Sequence, residues 1–401
     1  MAHYKYLIIG GGMTAAAAVD GIREVDRAGN VGLISAEPDP PYARPPLSKG
    51  LWKGERASSI WLTSRRPRVK VHLGRVVTEI VPRKREVRDG QGGVYTYDKL
   101  LLATGGRPRR LPFGDGRIIY FRTWSDYQRL RLLSRKGRRF AVIGAGFIGS
   151  EIAAALALKH KKVFMIFPGK EIGSRVFPKD LSRFVSGYYK RRGVQLLAGE
   201  QVVGAEARGK QTVLKTKRNR DILVDGVVAG VGIEPQLELA QSIGLKIQDG
   251  IVVDEFLRTS HRHIYAAGDV AAFHNPALGK RIRVEHEDNA NTMGRAAGRN
   301  MAGKAEPYRH LPFFYSDLFD LGYEAVGEVD SRLRTFSDWK RPYKEGVIYY
   351  LKNGRVRGVL LWNVWDQVEA ARRLIAAPGP FTGRHLKGLL PEKTSAAAPG
   401  K

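Results

Sequence analysis

The sequence predicts an α/β fold with two copies of one parallel-strand unit followed by a smaller α+β domain. Three observations predict it. A strand, a tight glycine turn and an alanine-rich helix occur twice, near residues 10 and 144. Each copy then runs through short alternating strands and ends on an apolar strand leading into glycine. Beyond about Leu311 the texture changes to aromatic-rich alternation, as in a sheet.

The first copy opens on the strand YLIIG (6–10), whose turn reads Gly10-Gly11-Gly12-Met13-Thr14-Ala15, a G-x-G-x-x-A. A helix over Thr14–Arg27 and the strand VGLIS (31–35) follow, then RVVTEI, REVRD and GVYTY as a meander, and KLLLATGG (99–106) as the closing strand. The second copy repeats this order. FAVIG (140–144) leads into Gly144-Ala145-Gly146-Phe147-Ile148-Gly149, a G-x-G-x-x-G, then the helix SEIAAALALKH and the strand KVFMIF (162–167). Its meander is QVVGAEA, QTVLKT and RDILV, and its closing strand DGVVAGVG (225–232). Glycines between a strand and a helix let a pyrophosphate approach the helix N-terminus, so both copies read as Rossmann-like dinucleotide-binding domains. Glu37, ending the second strand of the first copy, is placed to accept hydrogen bonds from ribose hydroxyls. Shortly after it, PYARPPLSKGLW (41–52) sets prolines around Arg44 and Lys49, and Pro45-Pro46 stiffens the chain there. In TSHRHIYAAGDVAAF (259–273) an apolar strand ending on Gly268-Asp269 and then a helix are expected. FFYSDLFDLGYEAVGEV and GVIYYLKNGRVRGVLLW predict the C-terminal sheet, and DQVEAARRLIA a helix. The tail 391–401 is expected to be disordered.

Composition limits the chemistry. At 401 residues, 43% apolar and 27% charged, the chain is globular and long enough for two or three domains. No apolar run approaches the roughly 20 residues that span a bilayer. Strand-like YKYLIIG follows the N-terminus almost at once, so no signal peptide and a cytoplasmic location are expected. Cysteine is absent, which excludes disulfides, thiolate metal sites, cysteine nucleophiles and dithiol relays; no metal site is expected. Sixty-eight basic residues against 39 acidic ones give a net charge of +29. The basic runs, RRPRVK (65–70), RKREVR (83–88), RPRR (107–110), RKGRR (135–139), KHKK (159–162) and KTKRNR (215–220), are scattered and lack interleaved aromatics. Such a surface suits an acidic partner or non-specific nucleic acid, beside the plain reading of a solvated face.

In this order the segments PPYARPPLSKGLW, GAGFIGSE, GIEPQLELA, YAAGDVAAF, VEHEDNA, FFYSDLFDLGYEAVG and GVIYYL…GVLLWNVWDQVEAAR resemble the two-dinucleotide-fold, pyridine-nucleotide-dependent FAD reductases over residues 4–390. Within them the chain is similar to the apoptosis-inducing-factor-like branch and to the bacterial ferredoxin-reductase-like flavoproteins. The resemblance implies a glutathione-reductase-like architecture without the redox disulfide. Residues 1–113 and 235–308 would form a discontinuous FAD-binding domain, 114–234 an NAD(P)-binding domain, and 309–390 the C-terminal α+β domain. It implies that Gly10, Gly12 and Ala15 receive the FAD pyrophosphate, Glu37 the ribose and Asp269 the ribityl chain. Arg44 and Lys49 would lie on the FAD, Lys49 near flavin N5. Gly144, Gly146 and Gly149 would receive the nicotinamide dinucleotide, with Phe147 against the nicotinamide ring and Glu151 paired with Lys49. His286 would reach the flavin edge, either as a catalyst or as a hydrogen-bonded core residue. Tyr315 stands where the apoptosis-inducing-factor-like branch carries a tryptophan. Glu171 would hold the second ribose, although Lys170 and Arg175 suit a 2′-phosphate, so NADH and NADPH both stay open, with a lean to NADH.

Two functions follow from these residues. One is an FAD-dependent NAD(P)H oxidoreductase using Lys49, Glu151 and His286, with an acidic ferredoxin-like protein, a quinone or a similar acceptor. The other is a slow redox-sensing flavoprotein whose long-lived reduced complex signals through partner binding or as a homodimer.

Overall fold

The computed structural model describes residues 1–62, 67–114 and 116–390; the tail 391–401 and the basic residues Arg65 and Arg66 lie outside them. The chain divides into two compact units. One comprises Met1–Pro46, Glu55–Arg107 and Ile233–Pro312, the other Leu47–Gly54, Pro108–Gly232 and Phe313–Lys401.

In the first unit, the strands Val69–His72, Val31–Ile34, Ala2–Ile9, Val94–Leu102, Glu86–Asp89 and Val77–Val81 lie side by side in that order, and Ile264–Ala266 also pairs with Val94–Leu102. The first four and Ile264–Ala266 are parallel; Val31–Ile34, Ile264–Ala266 and the stretches 6–9 and 100–102 are buried on both faces, whereas the edge strand Val69–His72 is partly exposed. The helix Met13–Val25 packs on Glu287–Met301 through small residues. A Cβ at Gly294 would lie 2.4 Å from the Thr14 carbonyl oxygen, and one at Gly298 would lie 2.1 Å from that of Ala18, so only glycine permits this approach. The helix expected after Gly268-Asp269 is not formed. A single 3₁₀ turn, Gly268–Val270, gives way to the strand Ala271–Asn275, which pairs with Ile251–Val252 and Lys280–Ile282 and buries Ala271 and Phe273.

Asp26 ties the end of the first helix back to the first strand. Its carboxylate accepts from Lys5 Nζ (2.8 Å), the Tyr6 hydroxyl (2.9 Å) and the amides of Ala28 (3.0 Å) and Gly29 (2.8 Å). The Lys5 bond, then the Gly29 amide, hold its pKa well below the usual carboxylate range. A depressed carboxylate stabilises the fold above its unfolded pKa and loses that contribution as pH falls through the folded one. Asp26→Asn is therefore expected to cost about 2 kcal/mol at pH 7 in urea unfolding, with the difference closing below about pH 3.

In the second unit, Val194–Ala198, Lys162–Phe167, Arg139–Ile143, Gly226–Ala229 and Ile118–Tyr120 form a parallel five-stranded sheet. Here the meander Val202–Arg208, Gln211–Thr216 and Asp221–Val224 is a separate sheet, whereas its counterpart in the first unit joins the main one through the unbroken strand Val94–Leu102. Asp225 marks the break: its carboxylate accepts from the amides of Arg138 (2.7 Å) and Arg139 (2.9 Å) and from Gln211 Nε2 (2.8 Å). The C-terminal strands Phe313–Leu318, Leu321–Gly327, Arg355–Trp362, Glu345–Lys352 and Arg334–Arg341 form an antiparallel sheet in that order, with the helix Val368–Ala376 against it. Fully buried Trp362 stacks on Tyr323, with ring centroids 5.9 Å apart. No helix among the described residues is long and apolar enough to cross a membrane.

Candidate active site

Each unit carries one glycine turn. Gly10 has φ +129° and Gly144 φ +105°, backbone that favours glycine, and each lies against a neighbouring strand end. A Cβ on Gly10 would lie 2.1 Å from the Ala103 oxygen, and one on Gly144 would lie 2.3 Å from the Gly230 oxygen. The second motif glycines, Gly12 and Gly146, face open space instead. A Cβ on Gly146 would meet nothing within 4 Å, and one on Gly12 only Arg44 Nη2 at 4.0 Å. Gly12 and Gly146 are the N-caps of their helices, and neither helix has a side-chain cap. Both N-termini thus offer amides to an anion. Gly149 fits where the helix meets the turn, since its Cβ would lie 2.3 Å from the Gly144 oxygen; Ala15 is fully buried.

Around the first turn, Glu37 pairs with Arg44 and accepts from the Tyr42 hydroxyl at 2.5 Å. Arg44 Nη1 donates to the same hydroxyl at 3.1 Å, and its guanidinium lies 5.1 Å from the Tyr42 ring centre. Burial alone would lower the Arg44 pKa, but Glu37, Tyr42 and Asp269 outweigh it and raise the value. Glu37, Arg44 and Asp269 therefore share one electrostatic neighbourhood with Gly12. His286 is the N-cap of Glu287–Met301, half-buried on extended backbone. Two residues on, Asp288 pairs with His310 Nε2 at 2.6 Å.

Around the second turn, Glu151 points from the first turns of Phe147–Leu158 into a closed polar cluster, and its side chain is 2% exposed. Lys49 Nζ, itself 13% exposed, lies 2.8 Å from Oε1. Ser316 Oγ donates to the same oxygen at 2.6 Å, and Ser48 Oγ to Oε2 at 2.6 Å. The Lys49 ammonium sits over the Tyr315 ring, 5.0 Å from its centre, and Phe147 packs against Phe314 at 4.9 Å. Burial, and then the Glu151 charge, raise the nearby Tyr189 and Tyr323 hydroxyls well above their ordinary pKa. Lys49, Glu151 and Tyr315 are thus brought together, with Phe147 on the same helix. Glu171 stands apart: half-buried in the turn after Lys162–Phe167, it forms no ion pair with a described residue. Sequence reasoning missed Ser48, Ser316 and Tyr42; each sits inside or next to a motif already singled out, so the missing signal was which way the side chain points.

Glu324, also missed, lies directly across the strand pair from Tyr315. Its Oε2 is buried without a described hydrogen-bond partner, and burial, then the Asp366 charge, push its pKa up to about 7. A carboxyl raised this way costs stability as pH climbs from its ordinary value through the folded one. Glu324→Gln is expected to stabilise the protein by about 1–2 kcal/mol at pH 8, allowing for solvent screening, and to change nothing at pH 4. Urea unfolding at the two pH values measures both.

The sequence matches the family described as pyridine nucleotide-disulphide oxidoreductase over residues 4–294, and the one described as apoptosis-inducing factor, mitochondrion-associated, C-term over 297–342 and 336–377. "Apoptosis-inducing factor 1, mitochondrial" of Dictyostelium discoideum is 35% identical, over 93% of this chain and 78% of that protein. The ferredoxin–NAD(+) reductase component of the anthranilate 1,2-dioxygenase system of Burkholderia cepacia is 33% identical, over 93% of this chain and 94% of its own. The putidaredoxin reductase–putidaredoxin covalent complex matches in structure with a TM-score of 0.88 at 29% identity, covering 94% of each chain.

Proposed function

We propose that this chain, which belongs to the pyridine nucleotide-disulphide oxidoreductase family, accepts NADH and passes its electrons to a small acidic iron–sulfur protein. It is an FAD-dependent NAD(P)H oxidoreductase, and with no cysteine among its 401 residues it works without a dithiol. The residues fit both cofactors: two uncapped helix N-termini stand behind glycines whose missing side chains leave open space. Gly10, Gly12, Ala15, Glu37, Arg44 and Asp269 would hold FAD. Gly144, Gly146, Gly149 and Glu171 would hold the nicotinamide dinucleotide, with Phe147 beside its ring and His286 and Tyr315 toward the flavin. When bound, FAD supplies hydride uptake and one-electron release.

The carrying observation is the Lys49–Glu151 pair, fixed by two serine hydroxyls one helical turn past the second glycine turn. Lys49 would place beside the bound cofactor a cation that stabilises negative charge there. Glu151 fixes the ammonium in place through the 2.8 Å ion pair. Ser48 and Ser316 fix the carboxylate in turn. Glu171, in the turn after the second strand, favours NADH through the ribose hydroxyls, against Lys170 and Arg175. The net charge of +29 steers an acidic partner. Steady-state turnover with a small acidic [2Fe–2S] protein tests this. It is expected to be faster with NADH than NADPH and to slow as salt rises; turnover confined to NADPH, or indifferent to salt, would count against the respective half of the proposal.

A second reading has its own support in the apoptosis-inducing-factor C-terminal match and in His286 at its helix cap. There the reduced protein persists with oxidised nucleotide bound and turns over slowly. Stopped-flow reoxidation separates the two: decay within seconds of adding the iron–sulfur protein favours the reductase, and survival for minutes favours the sensor.

A further inference from the structure

The run Arg83–Arg88 and the segment Arg258–His263, which neither glycine turn uses, meet within the first unit. Arg85 Nη2 lies 3.2 Å from Nε2 of His263, and Arg262 Nε donates to the same nitrogen at 2.9 Å. With Nε2 accepting, the ring proton sits on Nδ1, which is buried and has no described hydrogen-bond partner. The His261 ring is 6.1 Å away. Lys99 joins them. Burial, then Arg85 and Arg262, lower its pKa; burial, then Arg85, Lys99, Arg262 and His261, lower that of His263. Compensating acid is sparse: Asp254 is paired with Arg258 at 2.7 Å, and Asp98 is half-exposed beside His3.

A buried hydroxyl without a described partner, that of Tyr97, lies on the same strand as Lys99. Tyr97 shares a strand face with Lys99, two residues on, and is 1% exposed. Its hydroxyl has no described partner; burial pushes its pKa up to about 12, and the charge of Arg85 acts on it in the opposite sense. The backbone pins the group. Tyr97 N donates to the Arg85 oxygen at 3.0 Å, and Leu100 N to the His263 oxygen at 2.9 Å. The cluster sits toward the end of the sheet away from the first glycine turn. Tyr97 and Lys99 pair with Tyr4 and Tyr6, whereas the turn follows Ile9, beside Leu102. Three to five residues of strand separate them, about 10–17 Å.

We propose that Arg85, Lys99, Arg262 and His263, with the Tyr97 hydroxyl beneath, bind a compact phosphate dianion at a site separate from the cofactor turns. Two guanidinium forks match the spacing of phosphate oxygens, and the dianion offsets the repulsion among the cations. Arg262 is exposed while Arg85, Lys99 and His263 are half-buried, so a small head group enters where a duplex backbone does not.

The test titrates inorganic phosphate into the FAD-loaded protein saturated with NAD⁺, at constant ionic strength, following the His263 ring protons by NMR. The expected result is saturable binding, with the imidazole moving to its protonated position and its pKa rising by about one unit, as a nearby anion dictates. Arg85→Gln with Arg262→Gln is expected to weaken binding at least tenfold while flavin content and unfolding midpoint hold. If that pair fails to fold, Lys99→Met serves in its place. Arg332→Gln, at a side chain 88% exposed in the other unit, is expected to change nothing. A response that never saturates, an equal loss in Arg332→Gln, or binding untouched by the cluster substitutions would overturn the proposal.

Discussion

Glu151→Ala is expected to cost about 3–5 kcal/mol in stability at pH 7 and to slow reduction of the bound flavin by NADH at least ~100-fold. The first figure follows from burial. Removing a 2%-exposed carboxylate leaves the Lys49 ammonium, 13% exposed, without its counter-charge, and Ser48 and Ser316 without their acceptor. The second follows from position, since among the described residues the Lys49 ammonium is held by Glu151 and the Tyr315 ring. Ser316→Ala isolates one link: it keeps the charges and removes one hydrogen bond to the carboxylate, for an expected cost of about 1.5–3 kcal/mol. Urea unfolding gives the stabilities and stopped-flow absorbance the rates. Equal, small losses in both variants would show that the pair contributes little to stability or to flavin reduction.

The glycine turns give the second large effect, and here position decides its kind. Gly146→Val and Gly12→Val place their side chains in open space on extended backbone that any residue adopts. Both proteins are expected to fold with midpoints near that of the cofactor-free parent. Gly146→Val is expected to raise the KM for NADH at least ~30-fold, and Gly12→Val to yield colourless protein, because the side chain occupies the room left for a pyrophosphate. Gly144→Val and Gly10→Val meet the Gly230 and Ala103 carbonyls at positive φ, and are expected to lose about 3 kcal/mol or more of stability along with the cofactor. A Gly146→Val protein with unchanged KM would remove the nucleotide from that turn.

Much of this was legible because the local signals agreed. Strand, glycine turn and helix carry their own periodicity, so both copies were found within a few residues, as with KVFMIF, observed as Lys162–Phe167. Lys49 and Glu151 were paired through the resemblance, and the structure holds them 2.8 Å apart. What failed was non-local. After Gly268-Asp269 the alanines and Phe273 suit a helix as well as a buried strand, and only pairing with Ile251–Val252 and Lys280–Ile282 decides for strand. GVYTY and KLLLA read as two strands but form one, while Asp225 keeps their counterparts apart through amides more than 80 residues away. Ser48 and Ser316 are ordinary serines until the fold aims both at one carboxylate from 103 and 165 residues away.

Anaerobic titration of the purified yellow protein with NADH decides whether the nicotinamide reduces the flavin. The visible flavin bands are expected to bleach at about one equivalent of NADH per flavin and to return on adding a one-electron acceptor, with no dithiol present to store electrons. Folded, flavin-loaded protein whose bands survive an excess of both NADH and NADPH would contradict that reduction.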